Sequence, residues 1–192
     1  MEKRGLTDRL AAENVAADAK VCWGDEMRLG LISQVRKVWC SIGTKIIQKI
    51  QISYKYLYLH LAVDGVNGTL HWEWAENMKQ EAVIKVVTSW QEAGIDVIIW
   101  DGAPSHRANE VQKLDPTLIC QPPYAPELNP AERIFEAVRQ EVEGIVYDTL
   151  EEKRETAENY LQKLAASPER IKSLAGWEWI CNALNPSPIP VT

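Results

Sequence analysis

The nine residues Lys55–Val63 read KYLYLHLAV, an alternation that puts Leu57, Leu59, Leu61 and Val63 on one side of an extended chain. A two-residue period of this kind describes a strand with one buried face. Asp64-Gly65 and Asn67-Gly68 then mark a turn, and Thr69–Trp74 returns as a neighbouring strand. After Met78 the period changes. Ala82, Val83, Val86, Val87, Trp90 and Ala93 form a helical stripe, with Asn77 as its N-cap and Gly94 as its stop. Val97–Trp100 is a short apolar run of the buried-strand kind, and it ends on Asp101. Upstream, Lys20–Arg28 reads as the opening strand, with Val35–Cys40 and Lys45–Ser53 as further strands around a Gly43 turn. Downstream, a helix is expected from Ser105, a strand over Leu118–Cys120, and a helix from Asn129-Pro130 to about Glu143, followed by one or two more. Strands first, then strands alternating with helices, describes an α/β domain with a mixed sheet flanked by helices.

The chain of 192 residues is of a length for one domain, here drawn as a short helix or arm over 1–20, a core over 21–180 and a loose tail over 181–192. No apolar run reaches membrane-spanning length and the first residues lack a secretory core, so no membrane is expected. The four cysteines form no C-x-x-C pair, which fits reduced thiols in the cytoplasm. A net charge of −6 argues against a nucleic-acid partner until its distribution is considered. Between Arg28 and Val63 there is no acid, yet Arg28, Arg36, Lys37, Lys45, Lys49 and Lys55 fall there. That segregated basic stretch could follow a phosphate backbone, or it could be an ordinary solvated surface.

Three carboxylates stand out. Asp25 lies within the opening strand and shares a face with Val21, Trp23, Met27 and Leu29, while Glu26 points to the other side. A carboxylate on an apolar strand face is costly unless cations or hydrogen bonds compensate it. Asp101 ends a strand, where ligands of open α/β sheets collect, although an Asp there also caps turns. Glu132 is the third helical residue of Asn129-Pro130-Ala131-Glu132, a capping-box pattern that competes for its carboxylate. Together, three carboxylates on one rim would suit two hard divalent ions roughly 4 Å apart, the arrangement of metal-assisted phosphoryl transfer.

The run from Pro123 to Glu132, PYAPELNPAE, resembles the last acidic motif of mariner-type DDE transposases, in particular their bacterial insertion-sequence branch. Trp23-Gly24-Asp25-Glu26 resembles the first motif, Trp39–Gly43 the segment after it, and Ile99–His106 the second motif. The likeness covers about residues 20 to 145 and implies a ribonuclease-H-like fold. It implies Asp25, Asp101 and Glu132 as catalytic residues and ligands of two Mg²⁺ or Mn²⁺ ions. DNA cleavage and strand transfer would share that site. The candidate DNA contacts are Arg28, Arg36, Lys37, Lys45, Lys49, His106, Arg107 and Asn129. The partners implied are double-stranded DNA, at element ends and target, and a second copy in a dimer on DNA. Gly102 departs from the family's usual Asn. Only 24 residues precede Asp25, where the family carries helix-turn-helix modules, so such a module is expected on a separate or frameshift-fused chain. Two other readings share these residues: a nuclease that only hydrolyses, and a repurposed transposase fragment that binds DNA without catalysis.

Overall fold

The computed structural model describes residues 3–33, 39–47, 49–122 and 125–184. Its centre is a five-stranded sheet in the order β3-β2-β1-β4-β5, formed by β1 (Val21–Gly30), β2 (Tyr56–Asp64), β3 (Thr69–Ala75), β4 (Val97–Trp100) and β5 (Thr117–Cys120). β1, β2 and β3 form an antiparallel meander, while β4 and β5 run parallel to β1. The mixed sheet expected from the change of period is therefore present.

Period-two alternation sorts the side chains onto two faces. Val21, Trp23, Met27 and Leu29 join Leu59, Leu61, Val63 and Ile99 in one core. That core is closed by α3 (Ala131–Val142), α4 (Leu150–Ala165), α5 (Pro168–Ala175), α6 (Glu178–Leu184) and α1 (Lys3–Ala12). On the opposite face Cys22, Ala62, Ile98 and Trp100 meet Val83, Val86, Val87 and Trp90 of α2 (Gln80–Glu92). Gly94, at φ 77°, stops α2 as expected, its amide and that of Ile95 returning to the carbonyls of Gln91 and Trp90. Trp72 and Trp74 are packing residues: both indoles donate to Glu158 Oε2 on α4, at 2.9 and 2.8 Å.

Several expectations are corrected. Among the described residues of Lys45–Ser53 no strand forms. The segment meets the end of β1 through the Ser33 amide on the Gln51 carbonyl at 3.0 Å, and Ile47, Ile52 and Tyr54 stay exposed. Residues 35–38 of the other expected strand lie outside the described residues. No helix begins at Ser105; the chain runs through turns, with His106 drawn inward and Val111 buried against α2's core. Asn77 accepts from the Lys79 amide at 2.9 Å, two residues ahead of the N-cap position, which Lys79 itself occupies. The N-terminal segment carries a helix whose Leu6 is fully buried in the main core, and Arg9 donates to the Cys120 carbonyl at the end of β5. α6 extends to Leu184, past the boundary drawn at residue 180, and the rest of the tail lies outside the described residues.

Gly24 is set by its neighbours. A Cβ there would lie 2.9 Å from Trp100 Cε3 and 3.1 Å from Ile98 Cγ2. Gly24→Ala should therefore force the Trp100 ring aside and destabilise the fold by about 1–3 kcal/mol. In a thermal melt this reads as a fall of roughly 3–10 °C. An unchanged midpoint would show that the Trp100 ring has room to move.

Candidate active site

The β1–β4 ladder pairs Val21 with Val97, Cys22 with Ile98 and Trp23 with Ile99, and then stops. The same register carried two residues further sets Asp101 beside Asp25, at the carboxyl end of the parallel strands. Beyond this point β1 continues without a neighbour on that side, which leaves a notch in the sheet. Asn129 fills it. Its side-chain amide nitrogen donates to the Gly24 carbonyl at 3.1 Å and to Asp25 Oδ2 at 3.0 Å, while its Oδ1 accepts from the Ala131 amide at 3.0 Å. One buried side chain thus replaces a missing ladder bond, steadies Asp25 and caps the start of α3.

The capping box expected around Glu132 is not completed, since the Glu132 amide goes to the Asn129 main-chain carbonyl at 3.2 Å and the Asn129 main-chain amide to that of Pro126 at 2.9 Å. Asn129 supplies the cap alone, and the Glu132 carboxylate is left to the cleft, with Arg139 Nη1 3.7 Å from Oε2. Asp25, Asp101 and Glu132 line one cavity of about 610 Å³, together with Gly102, Arg107 and Gln121. Among the described residues, no three His, Cys, Asp or Glu side chains close on one point as a finished metal shell would. The three carboxylates face a shared open space rather than a preformed cage.

Their electrostatics differ. Burial pushes the Asp25 carboxyl up to about 7 against a bond from the Glu26 amide, and the charges of Glu26, Glu132 and Asp101 push it further the same way. Asp101 is held below its ordinary value, first by His106, whose Nδ1 lies 2.8 Å from Asp101 Oδ1, and also by the Ala103 amide. Behind Asp101, on the α2 face, Glu26 Oε1 lies 3.0 Å from His106 Nε2 and 3.2 Å from His60 Nδ1. Burial opposes charge on Glu26, yet the two imidazoles hold its carboxyl below the usual value. Burial likewise opposes charge on His106, and the bonds to Asp101 and Glu26 outweigh it and raise its pKa.

The candidate DNA contacts divide. Arg107 lines the carboxylate cleft, its guanidinium donating to the Gly102 carbonyl, and a side chain at position 102 would crowd it at 3.3 Å. Lys45 and Lys49 are exposed. Arg28 is exposed away from the cleft, its guanidinium 3.8 Å over the Tyr56 ring. Arg36 and Lys37 lie outside the described residues, as do Pro123 and Tyr124 of the last motif. His106 and Asn129 are each 3% exposed with polar atoms engaged inside the protein, and Asn129 also lines the carboxylate cleft. Sequence reasoning missed the roles of Glu26 and His60. These residues face each other in the β1–β2 ladder, but a long connection between the two strands hides that register.

Comparison with curated proteins finds no match. Among solved structures, a pre-cleavage Mos1 transpososome aligns with a TM-score of 0.64 at 14% identity, over 91% of this chain and 60% of that one. A Mos1 mariner paired-end complex with Mn aligns at 0.62 and 14%, over 96% and 62%. The catalytic domain of Mos1 mariner transposase aligns at 0.55 and 14%, over 95% and 90%. This chain thus spans less than two thirds of the transposase chains in those complexes and nearly all of the catalytic domain. At such identities the likeness establishes the fold, which is ribonuclease-H-like. Residues 20–154, which include the whole sheet, the three carboxylates and α3, match the family described as DDE superfamily endonuclease, and the chain belongs to that family.

Proposed function

We propose that this chain is the catalytic domain of a transposase and that Asp25, Asp101 and Glu132 hold two divalent ions, Mg²⁺ or Mn²⁺. The observation that carries this reading is that Asp25, Asp101 and Glu132 line one cavity beside the point where the β1–β4 ladder ends. The donor set fits: all the ligands are hard carboxylate oxygens, and Asp25 is buried with the charges of Glu26, Glu132 and Asp101 acting on it. When bound, the ions would supply activation of the attacking hydroxyl and neutralisation of charge on the phosphate and leaving oxygen. The chain's own part is to hold the three carboxylates, and Asn129 keeps Asp25 in register with the helix that bears Glu132. Arg107 at the cleft wall is suited to a DNA phosphate, and Lys45 and Lys49 to the flanking backbone.

Double-stranded DNA is the substrate in this reading, both as element end and as target, and two copies act together on it. Transpososome and paired-end assemblies of Mos1 support that, as do the exposed apolar side chains Trp39, Ile42, Ile47 and Tyr54, which offer surface to a second copy. The reaction is assigned to the cytoplasm. No helix among the described residues is long and apolar enough to cross a membrane, and the four cysteines are free thiols.

Asp25→Asn, Asp101→Asn and Glu132→Gln should each lower Mn²⁺-dependent nicking of supercoiled DNA by on the order of 10³-fold without loss of the fold. Joining of a duplex with a free 3′-hydroxyl to plasmid DNA should fall in parallel. Nicking without joining would reduce the reading to a hydrolytic nuclease, and full activity in any variant would remove that residue from the site. Asp25 also gives a pH signature. Its carboxyl binds a proton more tightly in the folded chain than unfolded, so its contribution to stability is complete below about pH 4 and is lost as the pH rises through about 7. In urea melts between about pH 4 and about pH 8, the unsubstituted chain should lose on the order of 2 kcal/mol relative to Asp25→Asn. A gap that stays constant with pH would mean that Asp25 bears no uncompensated charge.

A further inference from the structure

Glu26 comes directly after Asp25, yet strand alternation sends its side chain through to the α2 face, away from the carboxylate cleft. There it meets His60, its cross-strand partner on β2, and His106, from the turns after β4. His106 then reaches back to Asp101, with Nδ1 2.8 Å from Oδ1 and 3.3 Å from the main-chain carbonyl. The Trp100 ring closes over the imidazole, centroid to centroid 3.8 Å, and Gln112 holds the His106 carbonyl at 2.9 Å. The result is an unbroken row across three neighbouring parts of the sheet, from His60 through Glu26 and His106 to Asp101. His60, Glu26 and His106 have side chains exposed by only 0, 8 and 3%.

A buried row of charged and polar groups is a poor way to stabilise a fold, because well-packed apolar side chains of the same volume do as well or better. Its geometry has another consequence. Oδ1 of Asp101 is committed to His106 and to the Ala103 amide at 3.0 Å, whereas Oδ2 takes no hydrogen bond from the described residues. The carboxylate is thereby fixed in rotation with one oxygen unclaimed. Glu26 also donates its backbone amide to Asp25 Oδ1 at 2.8 Å, so one residue touches the first carboxylate directly and the second through His106.

We propose that His106 is a positioning residue for Asp101, anchored through the sheet by Glu26 and His60, and that it sets Asp101 Oδ2 toward a divalent ion. The proposal rests on the metal-site reading above. Outer partners that orient metal-binding carboxylates are commonly worth about 10–100-fold in metal affinity. Two substitutions separate the ends of the imidazole. In His106→Asn the side-chain amide lies near the position of Nδ1 and still meets Asp101. In His106→Gln it lies near Nε2, and meets Glu26 instead.

The test is Mn²⁺ titration of the full 192-residue chain, with and without a DNA duplex, following free Mn²⁺ by electron paramagnetic resonance and recording the thermal midpoint of each variant. His106→Gln should weaken Mn²⁺ binding by about 10-fold or more, whereas His106→Asn should stay within about 3-fold of the unsubstituted chain at a comparable midpoint. Equal affinity in His106→Gln and the unsubstituted chain would overturn the proposal. So would equal losses in the two variants, since those would report the missing ring rather than the bond to Asp101. If the unsubstituted chain binds no Mn²⁺ in either condition, the metal-site reading itself fails and this proposal with it.

Discussion

β4 pairs with β1 only as far as Ile99, and beyond that point both segments are arranged around the main-chain groups left unpaired. A buried carbonyl without a partner costs about as much as a lost hydrogen bond, so the Gly24 carbonyl needs a donor from elsewhere. Asn129 supplies it, and the same side chain satisfies Asp25 and an amide at the head of α3. Three elements distant in sequence therefore meet through one primary amide. Replacing a ladder bond with a side chain is what opens the sheet enough for a cleft while keeping its walls in register.

Two adjacent acids show how strongly a strand separates chemical environments. Asp25 faces the cleft, among other carboxylates, and burial together with their charge makes its ionised form unfavourable. Glu26, one residue on, faces two imidazoles, and its ionised form is favoured despite deeper burial. The sheet acts as a partition a single residue thick. On one side burial and neighbouring carboxylates make the charge of Asp25 unfavourable, and on the other two imidazoles favour that of Glu26.

Much of this was legible in the sequence because it rests on local periodicity. The alternation of Lys55–Val63 and the change to a helical stripe after Met78 gave β2 and α2 within a residue or two, and Val97–Trp100 gave β4 outright. The carboxylates were legible through their positions at a strand face, a strand end and a helix start. What was hidden depends on register between segments far apart. Glu26 and His60 face each other only because β1 and β2 pair around a long connection, and nothing in either strand announces the partner. The segment Lys45–Ser53 misled for a related reason: β-branched residues favour a pleated surface, but that preference is local, and the strands that pair with β1 come from elsewhere in the chain. Glu132 illustrates a third limit. Its neighbours spell a capping box, and only the packing of Asn129 decides that the carboxylate is left unspent.

The first helix and the last lie against each other. α1 packs on α6, and Leu6 is sealed into the main core beside residues contributed by the C-terminal half. Roughly 165 residues lie between Ala12 and Glu178, so at ribosomal speeds about ten to thirty seconds separate the emergence of the two surfaces. During that interval the sheet can form and offer Arg9 the Cys120 carbonyl, but the α6 surface against which α1 packs is still missing. The domain is therefore finished from its far end backwards. α6 must be made before Leu6 is sealed, and the carboxylate cleft, walled by elements between the two helices, takes shape before the domain that carries it is closed.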